Sequence, residues 1–287
     1  MTKKVDIQPK SFKIPNLILF TAKFLELFSS KLVTLFAAKI FTTPIKYKIP
    51  KREFHMEINS NQIDLNIPIL NKKIVTYHYG NSNKKIMLVH GWSGRGTQLV
   101  KIADELIDLG FSTISFDAPA HGKSKSNSTL LPEFIECILE IDKQFGPFEF
   151  AIGHSLGGMS ILNAISNGFN IKKAIIIGSG DIIQDIIDDF ITELKLKSNI
   201  SIKLKDHFEH KFNTKMDRFS SSNVAKKIEI PILIIHDKDD KDVNIKAAFN
   251  IDKNLINSKL LITEGLGHRK ILGNLEVISQ IRLFLLN

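Results

Sequence analysis

The sequence predicts an α/β fold with a mostly parallel central sheet flanked by helices, an inserted helical cap and an N-terminal helical arm. From about residue 54 onward, short continuous apolar runs alternate with helical patterns, as in a sheet covered on both faces. A stretch of consecutive helical segments breaks this alternation, and a basic, apolar segment precedes it. The 287 residues therefore divide into an arm (1–53), a core (54–180 and 228–287) and a cap (181–227).

The arm holds most of the net charge of +9. Residues 1–53 contain eleven Lys or Arg against three acids, whereas the rest of the chain contains 28 basic and 27 acidic residues. Because the core is nearly neutral, the overall charge does not indicate nucleic-acid binding.

Apolar residues recur at helical spacing between residues 17 and 41 of the arm. Lys23, Glu26 and Lys31 interrupt them, so no uninterrupted run reaches the roughly 18–20 residues of a membrane span. The same charges argue against a signal peptide. Two interpretations stay open: a helix or helix pair packed on the main domain, or a basic amphipathic anchor on an anionic membrane surface.

The strands of the core are predicted in chain order. Phe54, Met56 and Ile58 alternate with polar residues, as do the apolar residues of 75–79, which predicts two strands with one buried face each. Cys137 falls in a helical pattern and is the only cysteine, which excludes an intramolecular disulfide and favours a cytoplasmic location. Buried strands are predicted at 85–89, 112–116, 148–152, 174–177, 232–235 and 260–263, with helices at 98–109, 132–144 and 158–167.

The cap is predicted because helical segments replace the single crossover helix expected before the strand at 232–235. Open α/β sheets bind ligands beyond the carboxyl ends of their strands, so we expect the cap above that edge. Its apolar residues either pack the cap or contact an apolar acyl group. They are Ile182, Ile183, Ile186, Ile187, Phe190 and Ile191, followed by Phe208, Phe212, Met216 and Phe219.

The pentapeptide Gly153-His154-Ser155-Leu156-Gly157 joins a predicted strand to a predicted helix. A serine hydroxyl becomes a nucleophile only when a base takes its proton and its side chain projects from the backbone. The two glycines leave room for a strained turn that exposes the side chain. Because such a pentapeptide also arises by chance, the assignment of Ser155 depends on finding its partners.

His268 is the predicted base, since it follows the last strand in a glycine-rich loop that would bring its ring over the sheet edge. The predicted acid is Asp240, because His236, Asp240 and the following valine fit an arrangement in which the acid reaches inward. Asp239 and Asp181 remain alternatives. The chain order is then Ser, Asp, His.

The oxyanion formed during acyl transfer needs preorganised hydrogen-bond donors. The backbone N–H of Leu156 is one predicted donor, and the N–H of Trp92, in the loop after strand 85–89, is the other. Gly91 lets this loop turn toward the substrate, and both Gly91 and His154 are expected to contact it.

Residues 54–287 resemble the α/β-hydrolase superfamily. The segment from Asp117 to Ser124 also looks like the D-x-P-x-H-G-x-S loop of esterase, lipase and haloperoxidase-like members. The resemblance implies that Asp117 and His121 shape the site rather than react. The chain departs from the family pattern at Asp237 and Asn244, where many members have Gly and Pro.

The resemblance implies a serine hydrolase acting on a small-molecule carboxylic ester through an acyl-serine. An acyltransferase or thioesterase would use the same triad, and a non-catalytic binding or membrane-surface protein could retain the fold. The sequence contains no Cys and His cluster for zinc and no Gly-rich phosphate loop, so neither a metal nor a cofactor is expected. With an anchored arm, the protein would lie at the inner face of the membrane.

Overall fold

One sheet of eight strands forms the centre of the computed structural model, which describes residues 14–287. In spatial order the sheet runs β1-β2-β4-β3-β5-β6-β7-β8, with strands numbered along the chain, and only β2 runs in the direction opposite to the others. The carboxyl ends of the parallel strands therefore meet at one edge. The strands are β1 (Asn61–Ile67), β2 (Lys72–Tyr79), β3 (Lys85–Val89), β4 (Ser112–Asp117), β5 (Phe150–His154), β6 (Lys173–Ile177), β7 (Ile232–Asp237) and β8 (Ser258–Thr263).

The described residues also form twelve α-helices. Successive strand residues face opposite layers: Ile86 and Leu88 contact one apolar cluster, whereas Met87 and Val89 contact the other. Burial on both faces explains why these strands are continuous apolar runs. The helices are α1 (Asn16–Phe28), α2 (Ser30–Thr42), α3 (Phe54–Asn59), α4 (Val100–Asp108), α5 (Leu131–Phe145), α6 (Leu156–Ser166), α7 (Ile183–Glu193), α8 (Asn199–Phe212), α9 (Ser221–Ala225), α10 (Lys246–Asn254), α11 (Gly267–Lys270) and α12 (Leu275–Leu286).

The predicted fold class is confirmed, and the six strands predicted as buried lie within two residues of their observed bounds. The burial predicted for the last of them is wrong, because β8 lies at the sheet edge and contains no buried residue. The strand predicted at Phe54, Met56 and Ile58 is wrong, because these residues begin α3. Only Met56 is buried, whereas Ile58 is 78% exposed, so the alternation does not reflect one buried face. The first strand is β1, which was not predicted; it pairs with β2 alone at the sheet edge.

Helices α7, α8 and α9, with a short 3-10 helix at Met216–Phe219, lie between β6 and β7, where the cap is predicted. Helices α1 and α2 contact each other, and α2 packs against α8. Phe41 of α2 lies with its ring centroid 5.1 Å from that of Phe190 and 5.8 Å from that of Phe208. Residues 1–13 of the predicted arm lie outside the described residues. Among residues 14–287, no helix is long and apolar enough to span a bilayer.

Glu53 joins the end of the arm to the core through a buried ion pair. Its side chain is 1% exposed, and its Oε2 accepts hydrogen bonds from Arg95 Nη1 at 2.9 Å and Thr97 Oγ1 at 2.8 Å. Arg95 is itself only 8% exposed, so it has little access to water. This contact fixes the loop after β3 to the residues that precede α3.

We expect Glu53→Ala to lower the free energy of unfolding by about 3–5 kcal/mol, because the substitution leaves the Arg95 guanidinium buried without its counter-charge. Asp64→Ala is the control, since it breaks the exposed ion pair with Lys73, and should cost less than about 1 kcal/mol. Urea unfolding followed by circular dichroism measures both. Equal losses in the two variants would contradict the inference.

Candidate active site

Ser155 occupies a strained turn between β5 and α6. Its φ of 53° and ψ of −119° lie in a region that side-chain-bearing residues seldom adopt. The backbone N–H of Ser155 donates to the Ile177 carbonyl at 2.9 Å, which ties the turn to the end of β6. A Cβ on Gly157 would collide with the Val89 carbonyl oxygen, so glycine is required for α6 to approach β3 this closely.

His268 and Asp240 form a hydrogen-bonded pair. His268 Nδ1 lies 2.7 Å from Asp240 Oδ2, and the two side chains are 9% and 1% exposed. His268 belongs to the one-turn helix α11, at the end of the glycine-rich segment where a loop was predicted. Its ring lies against the end of β6, since a Cβ on Gly178 would be 3.2 Å from Nδ1.

The carboxylate of Asp240 is oriented by the loop that carries it. Oδ1 accepts hydrogen bonds from the backbone N–H groups of Asp242 at 2.8 Å and Val243 at 2.9 Å, which leaves Oδ2 for His268. Burial by itself would raise the pKa of Asp240, but the hydrogen bond and charge of His268 and the two backbone N–H groups outweigh it and lower the pKa. The ionised carboxylate therefore favours a proton on Nδ1 of His268.

The other two candidate acids make different contacts. Asp239 Oδ2 accepts from the Gly265 N–H at 2.9 Å. Asp181 accepts from the Ser222 N–H at 2.6 Å and from the Asn250 side chain. No contact between either carboxylate and the His268 ring is found, so the structure brings Asp240 alone of the three to the predicted base.

Asp237 organises the same region and was not predicted to do so. Its Oδ2 accepts from Thr263 Oγ1 at 2.7 Å and from the Leu266 N–H at 3.0 Å, which fastens the segment before His268 to the end of β7. Burial opposes ionisation, but these donors outweigh it and lower the pKa of Asp237. The signal available in the sequence was that Asp237 stands where many members of the superfamily that the chain resembles have glycine.

His154, predicted to contact the substrate, also contacts His268. Its Nε2 lies 2.8 Å from the His268 carbonyl oxygen, and the two ring centroids are 4.5 Å apart. Burial, together with the nearby His268, lowers the pKa of His154 to about 3, so the ring is neutral and donates from Nε2. It borders the cavity described below but is only 2% exposed.

The loop after β3 lies directly beside Ser155, because a Cβ on Gly91 would be 3.0 Å from Ser155 Cβ. Most of its backbone donors have partners: the Gly91 N–H donates to Gln98 Oε1, the Ser93 N–H to His121 Nε2, and the Gly94 N–H to the Gly91 carbonyl. The backbone N–H groups of Trp92 and Leu156, the two predicted oxyanion donors, make no hydrogen bond within residues 14–287.

Two neutral histidines brace this loop against the segment after β4. His90 donates from Nδ1 to the Gly91 carbonyl at 2.7 Å and accepts at Nε2 from the Ala118 N–H at 3.1 Å. His121 donates from Nδ1 to the Pro119 carbonyl and accepts at Nε2 from the Ser93 N–H. Burial lowers the pKa of both rings, to about 4 for His121, which keeps their acceptor nitrogens unprotonated.

The Asp117 carboxylate hydrogen-bonds to both the loop after β3 and the segment after β4. Oδ1 accepts from the Gly96 N–H at 2.7 Å, and Oδ2 accepts from the Lys123 N–H at 2.7 Å and from the Tyr77 hydroxyl at 2.8 Å. These contacts agree with the structural role that the resemblance implies for Asp117.

A cavity of about 1520 Å³ opens onto these groups. Ser155, His268, Gly91 and Trp92 border one part of it. Its apolar wall comes from the region between β6 and β7 and from the first two helices, namely Ile186, Phe190, Phe208, Phe212, Met216 and Phe219 together with Ile18, Ile40 and Phe41.

One group of side chains in the described residues has metal-ligand spacing. Asp240, Asp242 and His268 each offer an atom within 4.8 Å of the others. Because Asp240 and His268 already hydrogen-bond to each other, this arrangement does not by itself indicate a metal.

Comparisons with known proteins bear on the family and the fold. Residues 86–202 match the model of a family described as the alpha/beta hydrolase family, and this range includes Ser155. A search of curated proteins found no significant match.

Several solved structures resemble the chain. A candidate lipase from Acinetobacter baumannii is 21% identical, with a TM-score of 0.63, and the alignment covers 84% of this chain and 97% of that one. An esterase from Exiguobacterium antarcticum is 19% identical, with a TM-score of 0.60 and coverages of 76% and 97%. A membrane phospholipase A, described as a bacterial virulence factor, is 14% identical, with a TM-score of 0.61 and coverages of 94% and 96%.

The lowered pKa of Asp240 predicts a pH-dependent contribution to stability. Because the folded pKa lies below the ordinary value of 3.8, the carboxylate stabilises the fold above that pH, and this contribution is lost as the pH falls through the folded pKa. The difference in free energy of unfolding between the native chain and Asp240→Asn should therefore shrink as the pH falls below about 4. Urea titrations between pH 7 and pH 3 test this, and a constant difference would contradict it.

Proposed function

From the α/β-hydrolase fold that this chain adopts, we propose that the protein is a serine hydrolase that cleaves a carboxylic ester through an acyl-serine intermediate. Ser155 is the nucleophile, His268 the general base and Asp240 the residue that orients it. The observation that carries this proposal is the 2.7 Å Asp240–His268 hydrogen bond at the cavity that Ser155 borders.

The first half of the reaction acylates the serine. With the proton of His268 held on Nδ1 by Asp240, the Nε2 lone pair accepts the proton of Ser155 Oγ as Oγ attacks the ester carbonyl carbon. The carbonyl oxygen becomes an oxyanion and accepts hydrogen bonds from the N–H groups of Trp92 and Leu156. Collapse of this intermediate breaks the ester bond, and the alkoxide leaves with the proton from His268.

The second half releases the acid. His268 takes a proton from water, the resulting hydroxide attacks the acyl carbon, and the second tetrahedral intermediate expels Ser155, which recovers its proton from His268. Each backbone donor in such a hole typically contributes about 10²–10³ in rate.

The ester as substrate class is supported by the names of the similar structures, which include a candidate lipase, an esterase and a phospholipase. Acyl transfer would differ only in the acceptor that replaces water, and thioester hydrolysis only in the leaving group. A non-catalytic role is disfavoured because the strained serine, the ordered acid–base pair and two unpartnered N–H groups occur together.

A fluorophosphonate probe should label Ser155, because the probe's phosphorus mimics the ester carbon and needs an activated serine. Intact mass should rise by one adduct in the native chain, and Ser155→Ala should abolish it. Ser160→Ala is the control, since Ser160 lies on α6, the helix that follows Ser155, but donates to the Leu156 carbonyl at 2.7 Å. Absence of the adduct in folded native protein would refute the enzyme proposal.

The identity of the acid is tested by two asparagine variants. In Asp240→Asn the amide oxygen should keep the two backbone donors of the former Oδ1, which points the NH₂ group at His268 Nδ1. That group donates, so the ring proton moves to Nε2 and the ring no longer accepts from Ser155. We expect kcat for p-nitrophenyl acetate to fall about 10³–10⁴-fold.

Asp239→Asn is the matched variant, because its amide oxygen still accepts from the Gly265 N–H. We expect a change of less than about tenfold in kcat, since this side chain does not set the proton position on His268. A large loss in Asp239→Asn with full activity in Asp240→Asn would reverse the assignment.

A further inference from the structure

Helix α1 carries an exposed apolar surface, here called the outer face, formed by Leu17, Phe20, Phe24, Leu27 and Phe28. Their exposed fractions are 75, 70, 50, 84 and 70%. The spacing of three, four, three and one residues places all five on the same side of the helix. Neighbouring rings along it contact each other, with centroids 6.4 Å apart for Phe20 and Phe24 and 4.8 Å apart for Phe24 and Phe28.

The outer face is not needed for packing within the chain. The opposite side of α1 supplies the packing residues, with Ala22 fully buried and Ile18 and Leu25 packed on the main apolar cluster. By comparison, the outward side of α4, a helix of the core, carries charged residues, namely Lys101, Asp104 and Asp108. A helix that is apolar on both sides needs a second apolar environment.

The charges around the outer face favour an anionic partner. Residues 14–53 contain seven Lys or Arg and two acids. Both acids are turned inward: Glu26 accepts from the Lys197 N–H at 2.7 Å and Glu53 is buried against Arg95. The exposed charge of this segment is therefore positive, and Lys31 and Lys39 lie exposed on α2 beside the partly exposed Leu32 and Leu35.

A bilayer with anionic lipids matches this combination of aromatic and aliphatic side chains flanked by lysines. A second copy of the chain would bring two positive arms together, which like-charge repulsion opposes. The inner side of the same helices borders the cavity through Ile18, Ile40 and Phe41. At about 1520 Å³, this cavity exceeds the roughly 300–1,000 Å³ of ordinary small-molecule pockets.

We propose that the outer face docks the protein on an anionic membrane surface and that the substrate is a long-chain acyl ester of the bilayer, whose chain enters the cavity along α1 and α2. The substrate part of this proposal rests on the proposed function, whereas the docking part does not. Neither Phe20 nor Leu27 borders the cavity, so both side chains are available for contact with lipid.

Docking is tested by flotation of the full-length Ser155→Ala chain with vesicles of phosphatidylcholine and 30% phosphatidylglycerol. We expect the chain to float with these vesicles, and less with phosphatidylcholine alone. Phe20→Glu combined with Leu27→Glu should weaken binding at least tenfold. The control pair is Ile58→Glu with Leu275→Glu, which changes two equally exposed apolar residues (78 and 82%) and the same net charge but should bind like the parent.

Docking is refuted if the parent does not float, or if both double variants bind equally well. Light scattering on the same protein variants tests whether a second copy of the chain occupies the outer face instead. A dimer that only the α1 pair of substitutions dissociates, together with no vesicle binding, would assign the outer face to self-association instead.

The substrate class is tested with two esters in the chain that retains Ser155. The α1 double variant should hydrolyse soluble p-nitrophenyl butyrate at the parental rate but lose at least tenfold on p-nitrophenyl palmitate carried in the anionic vesicles. Equal rates on palmitate would refute the bilayer route. If the proposed function itself fails, no chain cleaves either ester while the flotation result stands, so the two failures are distinguishable.

Discussion

The turn at Ser155 is the constraint on which the site depends. A positive φ at a non-glycine residue costs about 1–3 kcal/mol, so the surroundings must hold it in place. They do so through the Ser155–Ile177 hydrogen bond and through the approach of α6 to β3, which excludes a Cβ at Gly157. Because β3, β5 and β6 are parallel neighbours, their carboxyl ends meet at this turn. The loop after β3 therefore lies beside Ser155, and the ring of His268 lies against the end of β6.

Neutral histidines hold the loops around that serine. His90, His121 and His154 each donate from one nitrogen to a backbone carbonyl, and the first two also accept from a backbone N–H. An imidazolium has no acceptor, so protonation would leave the N–H groups of Ala118 and Ser93 without partners. Burial prevents this by lowering the pKa of each ring, with values of about 4 for His121 and about 3 for His154.

The sequence alone predicted the structure correctly where a single local pattern determines it. Two-sided burial explains the apolar runs of β3 to β7, and the glycines around Ser155 indicated the turn; β8, at the sheet edge, contains no buried residue. It failed at Phe54–Ile58, where an alternating pattern is compatible with a strand although the segment is a single helical turn and a half with only Met56 buried. Asp237 and Glu53 were missed because their partners lie far along the chain: Asp237 binds Leu266, and Glu53 binds Arg95. Long-range contacts of this kind leave no periodic signal.

The two N-terminal helices show why a net charge by itself says little about a surface. Residues 14–53 contain acids as well as lysines, but Glu26 caps a backbone N–H of the segment before α8 and Glu53 lies in the core, so the exposed charge of these residues is positive. The same helices also contribute Phe41, which packs between Phe190 and Phe208 at the wall of the cavity. The shape of that cavity therefore depends on a segment outside residues 54–287, over which the sequence resembles the α/β-hydrolase superfamily. If the protein is the hydrolase proposed above, its substrate selection is accordingly expected to depend on the arm as well as on the residues around Ser155.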